Sequence, residues 1–148
     1  MKRLCSLLAL LGLACFGPAL SAAQAQPAPL DGFVATVARL WAAGDAGGLT
    51  ALAPADDRIV LDLGTGESGA VESRHVAAAL RELFRDRTTL SARPAQVTIA
   101  GGDPLRGFGE LSWVSRPRGV TDMERATVYV GAVWESGGWK IRELRVLH

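Results

Sequence analysis

Cysteine is scarce in this 148-residue chain, and both cysteines, Cys5 and Cys15, lie close to the amino terminus. The rest of the chain therefore offers no thiol for a disulfide, a nucleophile or a zinc site. Long hydrophobic runs are also lacking, since the apolar run near the amino terminus has 13 residues and is too short to span a bilayer. Two histidines and a single tyrosine, Tyr129, leave few groups for metal binding or acid–base chemistry.

The amino terminus has the layout of a secretory signal peptide. Lys2 and Arg3 precede the apolar run 4–16, and Ala23-Gln24-Ala25 fits the small-x-small cleavage pattern. We therefore expect residues 1–25 to be a signal peptide that is removed on export.

The exported part is expected to be one small domain. Residues 26–30 are interpreted as a short extended lead-in, and residues 31–148 as a single domain in the periplasm or the medium. Lipidation at Cys15 is a less favoured alternative, since Gly12 stands where a lipoprotein signal usually has a large aliphatic residue.

The charge of residues 26–148 is nearly balanced, with 14 basic and 15 acidic side chains. Such a balance argues against nucleic-acid binding, which depends on strongly basic surfaces. About 45% of these residues are apolar, an ordinary value for a globular domain.

Helical spacing marks three segments. The first starts at Asp31, an expected cap, and ends at Gly44 in a left-handed turn. The second is short and is capped by Asp45, and the third starts near Ser73. Apolar side chains form one stripe on the first (Phe33, Val34, Val37, Leu40 and Trp41) and another on the third (Val76, Ala79, Leu80, Leu83 and Phe84).

Alternating patterns predict the strands. A first strand runs from Ile59 to Leu63, and four more cover about 88–100, 106–116, 122–135 and 138–147. Short glycine- and proline-containing turns join the last four, which predicts antiparallel pairing. One face is apolar and the other mixed.

The last strand breaks its alternation. Trp139 and Ile141 share one phase, whereas Leu144 and Val146 take the other. A β-bulge near Arg142-Glu143 would restore the pattern and curve the sheet.

Residues 60–69 resemble the first motif of S-adenosylmethionine-dependent methyltransferases and match G-x-G-x-x-G. That motif needs a parallel sheet with crossover helices to bring a glycine turn to a nucleotide. Only 79 residues follow Gly69, and their pattern is one of strands joined by short turns. We therefore interpret the motif as a glycine turn between a strand and the next helix.

The order of helices and strands, together with two local sequences, resembles the nuclear transport factor 2-like superfamily. The two sequences are Leu40-Trp41-Ala42-Ala43-Gly44-Asp45-Ala46 and Trp134-Glu135-Ser136-Gly137-Gly138-Trp139-Lys140-Ile141. The resemblance implies an α+β fold in which N-terminal helices pack on a curved, four- to six-stranded antiparallel sheet, the cystatin-like cone. Proteins with this cone include enzymes, ligand carriers and assembly modules, so the fold does not decide among them.

The chain has few of the residues that enzymes of this superfamily use in catalysis. Ketosteroid isomerase chemistry needs a carboxylate base and a tyrosine inside the cone, but Tyr129 and Asp62 both alternate away from the apolar face. Dehydratase chemistry uses histidine, and His75 is predicted at the surface, in the first turn of the third helix. His148 is the final residue.

We therefore expect an exported binding or assembly module rather than an enzyme, with no catalytic residue, metal site, cofactor or membrane span. The resemblance implies a homodimer formed through the mixed sheet face. The alternative is an isomerase, dehydratase or cyclase-like enzyme, or a carrier, that takes a small apolar ligand in the cone. The candidate pocket for that ligand consists of Trp41, Leu61, Phe84, Trp113 and Trp134.

Overall fold

The computed structural model describes residues 27–66 and 68–148. The proposed signal peptide, residues 1–25, lies outside the described residues. Three helices and six strands form within the described part: α1 (Leu30–Ala43), α2 (Ala46–Thr50), β1 (Arg58–Asp62), β2 (Ser68–Glu72), α3 (Ser73–Asp86), β3 (Arg87–Gly101), β4 (Arg106–Pro117), β5 (Glu124–Glu135) and β6 (Gly138–Leu147).

Helix α1 begins one residue earlier than predicted. Pro29, rather than Asp31, precedes the first helical residue, and no side chain caps this end. Proline is suited to the start of a helix because it has no N–H to leave unpaired. The other end is as predicted: Gly44 is left-handed, and the carboxylate of Asp45 accepts a hydrogen bond of 2.8 Å from the amide of Gly48 at the start of α2.

Strand β2 was not expected from the sequence. It pairs antiparallel with β1, with Ile59 opposite Val71 and Leu61 opposite Gly69. The predicted glycine turn is therefore the end of a hairpin that leads into α3 at Ser73.

The sheet is mixed, which corrects the expectation of a purely antiparallel sheet. The strand order is β2-β1-β6-β5-β4-β3, and β1 runs parallel to β6, with Leu61 opposite Leu144. All other neighbours are antiparallel. A parallel pair is possible here because α3 and four strands separate β1 from β6 in the chain, so no tight turn has to join them.

The predicted bulge in the last strand is confirmed. Gly131 pairs with Glu143, the next residue, Ala132, pairs with Ile141, and Arg142 is thus the extra residue. The shift returns Leu144 and Val146 to the face of Ile141, where all three are buried.

The helices pack on one side of the sheet, where the single hydrophobic core lies. Val34 of α1 meets β4 at Gly109, where a Cβ atom would come within 2.6 Å of the valine side chain. Glycine at this position therefore lets helix and strand approach closely. We name the opposite side of β4, β5 and β6 the outer sheet face; its side chains include those of Arg106, Phe108, Glu110, Ser112, Val114, Arg125, Thr127, Tyr129, Val133, Lys140, Glu143, Arg145 and Leu147.

Candidate functional site

Three of the five predicted pocket residues meet in the core. Trp41 of α1 packs edge-to-face against Phe84 of α3 at a centroid distance of 5.3 Å and against Trp113 of β4 at 5.5 Å. The two tryptophans are fully buried and Phe84 is half-buried. Aromatic edges thus meet aromatic faces, which adds a favourable electrostatic contribution to the burial of apolar area.

The indole nitrogens of the two tryptophans differ in their hydrogen bonding. The indole N–H of Trp113 donates to the hydroxyl of Thr89 at 3.0 Å. The Nε1 atom of Trp41 is buried and has no hydrogen-bond partner among the described residues. A buried donor without a partner is destabilising by about 1–3 kcal/mol, so this position is a candidate contact for a small bound molecule.

The other two predicted pocket residues lie elsewhere. Trp134 packs against Trp139 at 5.4 Å, and Trp139 donates through its indole N–H to the carbonyl of Ala28 at 2.7 Å. Leu61 lines a hollow of about 540 Å³ between the β1–β2 hairpin and α3. The five residues therefore belong to three separate places in the domain.

A polar cluster centred on Arg87 flanks the aromatic core. The Arg87 guanidinium lies 5.8 Å from the centre of the Trp113 ring, donates to the buried Ser115 hydroxyl at 3.0 Å and pairs with the Glu124 carboxylate. It thus joins the end of α3 to β4 and β5 and covers one side of Trp113 with a cation. The sequence did not indicate this cluster, because a single arginine at a helix end forms no recognisable pattern.

The side chains considered for isomerase and dehydratase chemistry do not meet inside the cone. The Asp62 carboxylate accepts a hydrogen bond of 3.0 Å from the amide of Gly64, which closes a local turn. Tyr129 lies on the outer sheet face, stacked on Phe108. His75 is exposed in the first turn of α3, as predicted.

The outer sheet face has an aromatic centre. The rings of Phe108 and Tyr129 stack at 5.5 Å with an interplanar angle of 25°. Burial raises the pKa of the Tyr129 hydroxyl, and the negative charge of Glu143 raises it further. Beside this pair lies a hollow of about 580 Å³, whose lining includes Val133 and Arg106.

The charges of the outer sheet face have both signs. Glu143 forms an ion pair with Arg145. Glu110 and Arg145 each lie opposite Tyr129 in the neighbouring strands. The aromatic pair is therefore bordered by acidic and basic side chains within one face.

Comparison with known proteins supports the fold. No protein-family model matches the chain, and no curated protein does either. Among solved structures, a DUF4783 family protein from Bacteroides ovatus superposes with a TM-score of 0.61 at 17% identity, over 76% of this chain and 91% of that chain. A domain of unknown function with a cystatin-like fold from Nostoc punctiforme gives a TM-score of 0.61 at 13% identity, over 80% of this chain and 74% of that chain.

The chain thus has the α+β cystatin-like fold. A designed nuclear transport factor 2-like protein also superposes, with a TM-score of 0.56 at 18% identity, over 78% of this chain and 93% of that chain. The resemblance to the nuclear transport factor 2-like superfamily is therefore confirmed at the level of the fold. Among the described residues, no helix has the length and apolar character needed to cross a membrane.

Proposed function

We propose that this protein is an exported assembly module without catalytic activity, and that it forms a homodimer through the outer sheet face. The stacked pair of Phe108 and Tyr129 carries the proposal. The helices pack on the other side of the sheet, so this aromatic pair has no cover from them. Aromatic residues at the centre of a surface patch are typical of protein–protein interfaces.

The size of the face fits a small stable interface. Together with β3, which adjoins β4 in the sheet, the outer sheet face has four strands about 4.8 Å apart and about ten residues long, a surface of roughly 19 Å by 33 Å. Two such faces bury about 1,200 Å² in total, which is at the lower end of the range for specific interfaces. The stacking of one sheet face on another is therefore sufficient in area without further elements.

The charges allow a copy of the same face to bind. In a two-fold dimer the same face meets itself, so its acidic groups, Glu110 and Glu143, and its basic groups, Arg125 and Arg145, are available for pairing between the two copies. The exposed side chain of Leu147 at the end of β6 extends the apolar part of the face.

A charge at the apolar part of this face should break the dimer. We expect Leu147→Glu to weaken association by about tenfold or more, because a carboxylate would lose its hydration in the interface. Met123→Glu is the matched control, since Met123 is an exposed hydrophobic residue in the loop between β4 and β5. Sedimentation equilibrium measures both variants. A monomeric wild-type protein at micromolar concentration, or equal effects of the two substitutions, would contradict the proposal.

Export is the second part of the proposal, with residues 1–25 as the signal peptide and residues 31–148 as the domain. The measurement is the intact mass of the protein recovered from the periplasm or medium of a bacterial host. We expect a chain that begins at Gln26 with no lipid attached. Retention of residues 1–25 in the cytoplasm would contradict export, and a lipid on Cys15 would show a lipoprotein instead.

A small-molecule carrier or an enzyme is the alternative function, with the ligand bound among Trp41, Phe84 and Trp113. The buried Nε1 atom of Trp41, which has no partner among the described residues, favours it. A ligand oxygen would accept a hydrogen bond from that atom. Extraction of the protein with organic solvent followed by mass spectrometry tests this function. A stoichiometric small molecule that is lost in Trp41→Phe supports the alternative, and its absence from protein purified under native conditions counts against it.

A further inference from the structure

One row of side chains crosses the outer side of the sheet at the level of Tyr129. The register places Glu110 of β4 on one side of Tyr129 and Arg145 of β6 on the other. The row continues to Gln96 of β3 beyond Glu110 and to Asp62 of β1 beyond Arg145. We name these five residues the central row. An acid and a base therefore flank the tyrosine at equal distances of one strand spacing, about 4.8 Å.

Glu110 carries an unpaired charge in the middle of this row. It is half-buried, and it forms no ion pair with any residue that the structure describes. Arg145 pairs with Glu143 through its Nε atom, but a guanidinium has further donors on its two terminal nitrogens. A carboxylate that loses its water in an interface needs a cation from the other side. Glu110 therefore restricts how a second copy can bind.

A face-to-face dimer with aligned strands has two allowed directions for its two-fold axis. The axis lies in the plane between the two faces, and sheets of the aligned class keep their strands within about 30° of each other. The angle between the strands of the two copies is twice the angle between strand and axis. The axis must therefore run nearly along the strands or nearly across them.

An axis along β5 brings opposite charges together. It places Tyr129 on its own copy, and it places each residue on one side of β5 opposite the residue at the same distance on the other side. Glu110 then faces Arg145 of the second copy across the gap of about 10 Å between stacked sheets. In the same way Gln96 faces Asp62. A shift of the axis by half a strand spacing loses this match, because Glu110 would face Tyr129 or Asp62 instead.

An axis across the strands brings like charges together. Each strand then lies on its own copy, so an axis through the central row sets Glu110 against Glu110 and Arg145 against Arg145. An axis through the neighbouring row, which contains Phe108, brings Arg106 to Glu110 but sets Glu143 against Glu143. Like charges that face each other in an interface are unfavourable by several kcal/mol. The central row therefore favours the axis along the strands.

We propose that the two copies in the dimer are related by a two-fold axis along β5, with Glu110 of each copy bound to Arg145 of the other. The inference rests on the proposed dimerisation through the outer sheet face and identifies the residues that orient it. At the ends of the strands this axis brings Arg106 opposite Lys140 and Arg125 opposite its own copy. Long side chains at these ends can turn towards water, so the central row determines the orientation.

The experiment exchanges the two charges of the proposed pair and measures the dimer dissociation constant by sedimentation equilibrium at low ionic strength, where charge effects are strongest. Glu110→Arg sets arginine against arginine, and Arg145→Glu sets glutamate against glutamate. We expect each single substitution to weaken the dimer by about tenfold or more. The double variant has opposite charges in exchanged positions, and we expect it to bind within about threefold of wild type.

The matched controls make the same changes of charge on the helical side of the sheet. Glu82→Arg and Arg81→Glu alter exposed positions of α3 and should leave the dissociation constant within about twofold of wild type. A dimer that Leu147→Glu breaks but neither single exchange weakens would overturn this axis and leave the outer sheet face as the interface. A double variant that binds no better than the two singles would also overturn the axis. A monomeric wild-type protein would instead contradict the dimer itself.

Discussion

Replacing each buried tryptophan of the core by phenylalanine tests whether the unpaired N–H of Trp41 is a real cost to stability. Trp41 and Trp113 are both fully buried, and their rings touch edge-to-face. They differ in that Trp113 donates to Thr89, whereas Trp41 has no partner among the described residues. The pair therefore isolates the effect of one hydrogen bond in nearly the same surroundings.

The structure predicts unequal losses of stability. Each substitution leaves a small cavity, which lowers the free energy of unfolding by about 1–2 kcal/mol. Trp41→Phe also removes a buried unpaired donor, a gain of about 1–3 kcal/mol that offsets the cavity. Trp113→Phe instead loses a hydrogen bond of about 1 kcal/mol. We expect Trp113→Phe to be less stable than Trp41→Phe by about 2 kcal/mol or more.

Urea unfolding followed by far-ultraviolet circular dichroism measures both variants without relying on the fluorescence of the indole that was removed. Thr89→Val is the control, because it removes the acceptor and leaves the indole of Trp113 in place. It should also lower stability, by about 1 kcal/mol or more. Equal losses in the two tryptophan variants, or a larger loss in Trp41→Phe, would refute the reasoning.

Three further predictions concern titration and close packing. Tyr129 is the only tyrosine in the chain, so tyrosinate absorbance should give a pKa above its ordinary value of 10.0 in the folded protein and near that value in urea. The free energy of unfolding should then fall as pH rises past 10.0, because Tyr129 loses its proton first in the unfolded chain. An unshifted pKa in the folded protein would be inconsistent with burial of this hydroxyl. A hydrogen bond from Arg142 holds the pKa of Asp56 below its ordinary value of 3.8. Asp56→Asn should therefore be less stable than wild type at neutral pH, and the difference should vanish once the pH falls through the lowered pKa. A stability difference that persists in acid would show that the ionised carboxylate of Asp56 is not its cause. Gly109→Ala should lower the free energy of unfolding by about 1–3 kcal/mol through overpacking against Val34, and adding Val34→Ala should recover part of it; no recovery in chemical denaturation would disprove the contact.

Local patterns were sufficient to predict the helices and most of the sheet. The stripe on α1 placed Val34, Val37 and Trp41 in the core, and the change of phase after Ile141 predicted the bulge. These features depend on neighbours within a few residues, which is the range over which periodicity is informative.

Features that depend on distant pairing could not be predicted in the same way. Strand β2 has few of the residues favoured in strands and is ordered by its pairing with β1. The parallel contact of Leu61 with Leu144 joins residues far apart in the chain, so no local pattern indicates it. Alternation correctly predicted that Trp113 and Trp134 lie on the face that packs against the helices. It could not show that Trp113 lies beside the start of β5 and Trp134 near the end of the same strand, so that the two residues do not share a pocket.

The contacts of Arg87 could not be predicted from the sequence either. Its three contacts, with Trp113, Ser115 and Glu124, come from two strands that meet the end of α3 only in the folded domain. A single arginine at a helix end ordinarily indicates a favourable charge near the helix dipole.

The distance between spin labels in two copies of the chain tests the proposed homodimer most directly. Residues 26–148 contain no cysteine, so Arg93→Cys gives one label on β3, next to Ser112 of the outer sheet face. Stacked sheets lie about 10 Å apart and four strands span about 19 Å, so labels at this edge should lie within roughly 40 Å of each other. We expect dipolar coupling at Arg93→Cys that disappears in Leu147→Glu. No coupling at this position, or coupling between labels on Ala78→Cys of α3 instead, would contradict assembly through the outer sheet face.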